Sequence, residues 1–173
     1  MTPQTAALMA SYNRWMNERL YEAAAKLPET EVTRDRDAFF GSILQTLNHI
    51  AVADTIWLRR FAAASPGSWL NEALLPFQQP TSLRQEIGRT LAELRSYRES
   101  LDKLIIDWAA GLTAEQLSQT LSYGQQQTRH FGSLVTHFFN HQTHHRGQAT
   151  TLLFQAGVDV GVTDLVAVIP NEA

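Results

Sequence analysis

Apolar residues recur at spacings of three and four through four long stretches of this chain, and polar or glycine- and proline-bearing segments separate them. That period marks helices with one buried face. The first stretch is predicted to run from Pro3 to Lys26. Thr2 serves as its N-cap, Pro3 as its first helical residue, and Leu8, Tyr12, Trp15, Met16, Leu20 and Ala24 as its apolar stripe. The second runs from about Asp37 to Ala64 and carries Phe39, Phe40, Ile43, Leu47, Ile50, Ile56, Trp57 and Phe61. Ser65-Pro66-Gly67-Ser68 stops it. A connection too long for a tight turn follows, through Pro76 and Pro80, and either crosses the bundle or covers a pocket.

The third stretch is predicted to open at Ser82, whose pairing with Gln85 has the form of a capping box. It repeats Leu83, Ile87, Leu91, Leu94, Leu101, Leu104, Ile105 and Trp108 until Gly111 closes it. Thr113 with Gln116 suggests another capping box on a short turn of helix. The weak alternation from Gln119 to Arg129, around Leu121, Tyr123 and Gly124, suggests a small hairpin. The fourth stretch runs from Phe131 to Gln155, with Gly157 as its stop. The tail from Val158 to Ala173 is apolar in its middle and is expected to pack back on the bundle or on a partner subunit. Four such segments without a strand-rich region are best satisfied by an all-α four-helix bundle, and 173 residues suit a single domain spanning 1–173.

Composition narrows the function classes. The formal net charge is −3 and no Lys/Arg run occurs, so nothing points to nucleic acid. The absence of cysteine excludes disulfides, thiolate metal sites and a protein thiol nucleophile. No stretch approaches the roughly 20 apolar residues of a membrane span. Met1-Thr2-Pro3-Gln4 lacks the character of a signal peptide, so the expected compartment is the cytoplasm.

The candidate chemistry lies in the fourth stretch. Five of the six histidines, His130, His137, His141, His144 and His145, fall there or at its edge. His137, His141 and His145 are spaced by four and share one helical face with Leu134, Gln148 and Leu152, a face that should look inward. His144 lies toward the flank. Imidazole is a common ligand for zinc, nickel and similar ions. A pair at His-x-x-x-His spacing needs a third ligand from elsewhere, and the one histidine outside the cluster is His49, in the middle of the second stretch. His49, His141 and His145 would give three nitrogen donors and an open position, the form of a catalytic zinc site. The alternative is a polar core in which each imidazole has a hydrogen-bond partner.

Other residues carry weaker readings. Asn48 and Asn140, each preceding a proposed ligand, read as surface or helix-contact amides more readily than as ligand supports. Gln148 either faces a bound molecule or bonds to backbone. Arg146, about 100° from His145, reads as a surface or interface charge. Gly147 in mid-helix suggests close helix approach. Trp15, Trp57 and Trp108 read as core or as pocket walls.

The string Phe139-Asn140-His141-Gln142-Thr143-His144-His145-Arg146-Gly147-Gln148 closely resembles the DinB family of DinB/YfiT-like metalloenzymes. The resemblance extends through Tyr12-Asn13-Arg14-Trp15, Leu47-Asn48-His49-Ile50, Gly157-Val158 and Gly161-Val162-Thr163-Asp164-Leu165. It implies a four-helix bundle with a long crossover connection, often a homodimer, and a metal triad at His49, His141 and His145. Relatives bind divalent ions, zinc or nickel among them. Some related enzymes use a low-molecular-weight thiol, such as bacillithiol or mycothiol, as cosubstrate.

Two functions follow as expectations. In the first, the protein is a metal-dependent enzyme, either a hydrolase or a thiol S-transferase, because a bound cation lowers the pKa of water or of a thiol. No acidic residue lies between Phe131 and Gln155, and Asp54 should face away from His49. His137 is therefore the candidate general base. In the second, the protein holds metal without catalysis, as a stress-associated or sensing protein.

Overall fold

A computed structural model describes residues 1–65, 67–125 and 127–171. Pro66 of the predicted stop, Gln126 within the predicted hairpin, and Glu172 and Ala173 of the tail lie outside the described residues. Helix α1 (Pro3–Ala24) starts as expected: the Thr2 hydroxyl accepts from Thr5 N–H and Pro3 fills the first turn. A short α2 (Glu29–Thr33) follows. Helix α3 (Ile43–Ala63) begins later than the predicted Asp37. Asp37 and Gly41 adopt left-handed φ values of 53° and 85°, which break any helix, and Ser42 caps α3 by accepting from Gln45 N–H. Phe39 and Phe40 thus precede the helix rather than belonging to it.

The connection after α3 carries a short α4 (Trp69–Ala73). The predicted third helix also starts late. Helix α5 is Leu91–Ala110, so the expectation of a start at Ser82 is wrong by nine residues. Thr90 is the real N-cap: its hydroxyl accepts from Glu93 N–H, and the Glu93 carboxylate accepts from Arg89 N–H. Ser82 and Gln85 form no capping box; Gln85 Oε1 instead accepts from Thr81 N–H. Leu83 and Ile87 match the helical period but sit in irregular backbone.

The short helix α6 (Ala114–Ser118) has the predicted Thr113/Gln116 capping box. It leads into an antiparallel hairpin of β1 (Thr120–Tyr123) and β2 (Gln127–His130), paired from Thr120 with His130 to Tyr123 with Gln127. Helix α7 (Phe131–Gln155) ends where Gly157 takes φ 85° and Val158 N–H bonds back to the Leu153 carbonyl. Part of the tail packs on the bundle, one of the two expected arrangements. Tyr12 Oη donates to the Thr163 carbonyl at 2.6 Å, and Arg19 donates to the Val160 carbonyl at 2.9 Å. A 3₁₀ turn, Leu165–Val168, lies against α1.

The long helices close a four-membered ring in which α1 meets α5 and α7, and α3 meets the same two. The core is split. One apolar cluster gathers Leu58, Phe61, Trp108, Phe138 and Phe139, and the other gathers Leu20, Ile43, Leu47, Leu94 and Leu153. On all four helices, buried polar residues stand between the two: Asn13 and Asn17, Asp54, Arg98 and Asp102, Gln142 and Arg146. Arg98 pairs with Asp54 at 2.6 Å and with Asp102 at 2.9 Å, and Asn13 and Asn17 donate to Asp102. None of the described helices is long and apolar enough to cross a membrane.

Candidate metal centre

Two helices bring the site together. His49 projects from the second turn of α3, and His141 and His145 project one turn apart from α7, which packs against it. The Nε2 atoms converge. His145 Nε2 is 3.2 Å from His49 Nε2 and 3.1 Å from His141 Nε2. Three ligand atoms on one tetrahedral ion at about 2.0–2.1 Å stand ~3.3 Å apart, so the spacing suits a metal. Among the described residues no fourth histidine or carboxylate joins the group. His49 is 5% and His145 8% exposed, while His141 is half-buried.

The far side of two rings decides which protons they carry. His49 Nδ1 lies 3.0 Å from the Leu83 carbonyl, which can only accept, so the proton is on Nδ1 and Nε2 is a bare lone pair. His145 Nδ1 lies 2.8 Å from Gln148 Oε1 with the same consequence. Two lone pairs therefore face each other across 3.2 Å with no proton between them. A proton on His141 Nε2 can serve its own contact with His145 but not this one. His141 Nδ1 is buried and has no partner among the described residues. The arrangement is unfavourable for three metal-free imidazoles and complementary to a cation.

Burial also holds the rings neutral. It pushes His141 down to about 3, with the neighbouring histidines adding to the effect. Burial likewise lowers His49 and His145, opposed by the Leu83 and Gln148 hydrogen bonds respectively. Phe40 stacks on the His49 ring at 4.0 Å between centroids and meets His145 edge-on at 5.5 Å. A small cavity of about 110 Å³ beside His49 is lined by Phe40, Gln45, Asn48, Arg84, Gln85 and Glu86.

The remaining candidates fall into place around this centre. His137 is exposed, with its ring 5.9 Å from that of His141 and edge-on to Trp57 at 5.0 Å. It is not part of the three-nitrogen group. His144 is exposed on the flank, and His130 caps α7 by accepting from Ser133 N–H. Gln148 bonds to His145 rather than to backbone. Asp54 points away from His49, into the polar layer. Asn140 is exposed.

Three readings need correction. Arg146 is 2% exposed, not a surface charge. It bonds to Asn13 Oδ1 and Thr143 Oγ1 and lies over the Tyr12 ring, because α7 packs against α1 as well as α3. Burial lowers its guanidinium to about 10, which leaves it charged at neutral pH. Gly147 mediates no close approach, since an added Cβ would meet nothing within 4 Å. Asn48 is a buried cross-link to the segment before α5, not a surface or helix-contact amide. The roles of Leu83 and Phe40 at the site are not legible in the sequence: a backbone carbonyl leaves no trace there, and Phe40 keeps the period of a helix stripe.

The model of the DinB family matches residues 1–172. Protein DinB of Bacillus subtilis (strain 168) is 28% identical over 158 residues, covering 88% of this chain and 87% of the relative. The crystal structure of a DinB-like protein from Bacillus cereus ATCC 10987 superposes with a TM-score of 0.52 at 19% identity, over 85% of this chain and 89% of that one, and so shares the fold. With a family match from one end to the other and a buried three-histidine cluster compatible with metal binding, the chain belongs to the DinB family.

Proposed function

We propose that His49, His141 and His145 hold one divalent ion, zinc or nickel, and that the protein is an enzyme working at the open coordination position. The observation that carries this reading is the convergence of three imidazole Nε2 atoms, with that of His145 3.2 Å from His49 and 3.1 Å from His141. When bound, such an ion lowers the pKa of water or of a thiol and supplies a nucleophile at neutral pH. The residues of the chain do the rest. Leu83 and Gln148 fix two of the three ligand rings, and Phe40 walls one side and limits water. His137, one turn from His141 and open to solvent, accepts the proton that the nucleophile releases. With no cysteine in the chain, a thiol nucleophile arrives as a low-molecular-weight cosubstrate.

A site where zinc serves only to hold the fold is usually closed by four protein ligands. The three-member donor group favours the catalytic reading. Metal analysis of the purified protein beside His49→Ala and His141→Ala tests the site, with stoichiometric metal expected in the parent and lost in both variants. Retained metal in both overturns it. A panel of small thiols with electrophilic acceptors, run alongside esters and amides, tests the reaction. Metal-dependent turnover of one class, lowered at least tenfold by His137→Ala, is expected. Absence of turnover by the loaded protein on every class favours the non-catalytic role.

A further inference from the structure

We infer that Asn48 is a positioning residue of the metal site: its buried amide anchors the segment 83–88 so that the Leu83 carbonyl holds His49 with Nε2 turned toward His141 and His145. The inference rests on the metal-site reading for its purpose, but its geometry stands alone. Asn48 is 2% exposed and every hydrogen-bonding group of its carboxamide is used. Oδ1 accepts from Ile87 N–H at 2.7 Å and Gly88 N–H at 3.1 Å. Nδ2 donates to the Gly88 carbonyl at 2.9 Å and to the Leu44 carbonyl of its own helix at 3.2 Å. One side chain thus binds both the N–H and the carbonyl of Gly88, as a neighbouring strand would.

Segment 82–89 belongs to no helix or strand and needs such an anchor. Leu83 itself is 56% exposed, so apolar burial does not hold it. Gly88 is pressed onto the first turn of α5, where an added Cβ would lie 2.5 Å from Leu94 N. From that fixed point the chain runs back to Leu83, whose carbonyl meets His49 Nδ1 at 3.0 Å. Phe40 stacking fixes the plane of the His49 ring, but only an acceptor at Nδ1 fixes which nitrogen carries hydrogen. Asn48 and His49 are adjacent on α3 and point different ways, one gripping the segment and the other donating to its Leu83 carbonyl.

The test compares wild type, Asn48→Ala and Asn48→Asp by cobalt(II) titration against a competing chelator, with the visible bands of bound cobalt as the geometric readout. Loss of an outer hydrogen-bond partner weakens metal binding about 10- to 100-fold, and that loss with shifted bands is expected for Asn48→Ala. Asn48→Asp keeps the acceptor for Ile87 and Gly88 N–H but sets a carboxylate oxygen against the Gly88 and Leu44 carbonyls, so it should recover only part of the affinity. Asn48→Ala with wild-type affinity and bands overturns the inference. A second measurement needs neither metal nor a folded alanine variant. Long-range proton–nitrogen NMR of metal-free wild type at mildly alkaline pH should show His49 protonated at Nδ1, and a proton at Nε2 overturns the inference. If wild type takes up no cobalt, the metal-site reading fails, while the His49 tautomer still decides what Asn48 does: a proton at Nδ1 in wild type that is shared with Nε2 in Asn48→Ala supports the inference, and an unchanged tautomer in Asn48→Ala overturns it.

Discussion

The side-chain amide of Gln142 donates from Nε2 to Asp54 Oδ1 at 2.9 Å, a bond that crosses from α7 to α3 inside the bundle. Gln142 follows His141 and Arg146 follows His145, each about 100° further round the helix. The polar layer therefore fixes the rotation of α7 about its axis. With Gln142 bonded to Asp54 and Arg146 to Asn13, His141 and His145 are left on the face that meets His49. A rotation of α7 by one residue would bury an imidazole in the layer and turn His141 and His145 away from His49.

Asp54→Ala removes the carboxylate that pairs with Arg98 and accepts from Gln142, leaving a buried cation half-compensated. Breaking such a pair costs about 3–5 kcal/mol. Urea unfolding monitored by circular dichroism should show a loss of that size, and a loss under ~1 kcal/mol would mean that the layer does not hold α7 in register.

The start of α5 separates two substitutions that look alike on paper. Thr90→Ala removes a cap and should cost about 1 kcal/mol, whereas Ser82→Ala should change stability by less than ~0.5 kcal/mol. Thermal unfolding of both decides it, and the reverse order would restore the helix start that periodicity alone suggests.

Most of the bundle was legible because helices α1, α3, α5 and α7 each bury a stripe that repeats every three to four residues. The Thr113/Gln116 box and the Gly157 stop were legible for the same local reason. The two late starts were not, since Phe39, Phe40, Leu83 and Ile87 keep the period while a left-handed Gly41 and the Thr90 cap override it. The histidine group was readable from spacing because a helix returns to its face every fourth residue. The polar layer was not readable, for Arg98, Arg146 and Asp102 look like surface charges until their partners on other helices are known. Nor was the role of Leu83, which acts through its backbone.

The metal-free protein should lose stability as pH falls. His49, His141 and His145 have folded pKa values below the ordinary 6.5, so the unfolded chain takes up protons that the folded chain refuses. Their contribution is complete above the unfolded value and declines as pH drops below 6.5 toward the folded values, the last near 3 for His141. Denaturation midpoints of chelator-treated protein across that window should fall steadily, and a flat profile would contradict the buried neutral state.

Zinc or nickel should raise stability where the site is intact. At a free metal concentration 100 times the dissociation constant, linkage predicts about 2.7 kcal/mol. His145→Ala, which removes the nitrogen nearest the other two, should show almost none of that gain by differential scanning calorimetry. An equal gain in the variant would place the metal elsewhere.

X-ray absorption on the zinc- or nickel-loaded protein addresses the centre itself. Three imidazole nitrogens at about 2.0–2.1 Å and one further light-atom ligand, replaced by sulfur at about 2.3 Å when a small thiol is added, are the result expected of His49, His141 and His145 with an open position. A shell with fewer than three imidazoles, or one unchanged in His49→Ala, would contradict it.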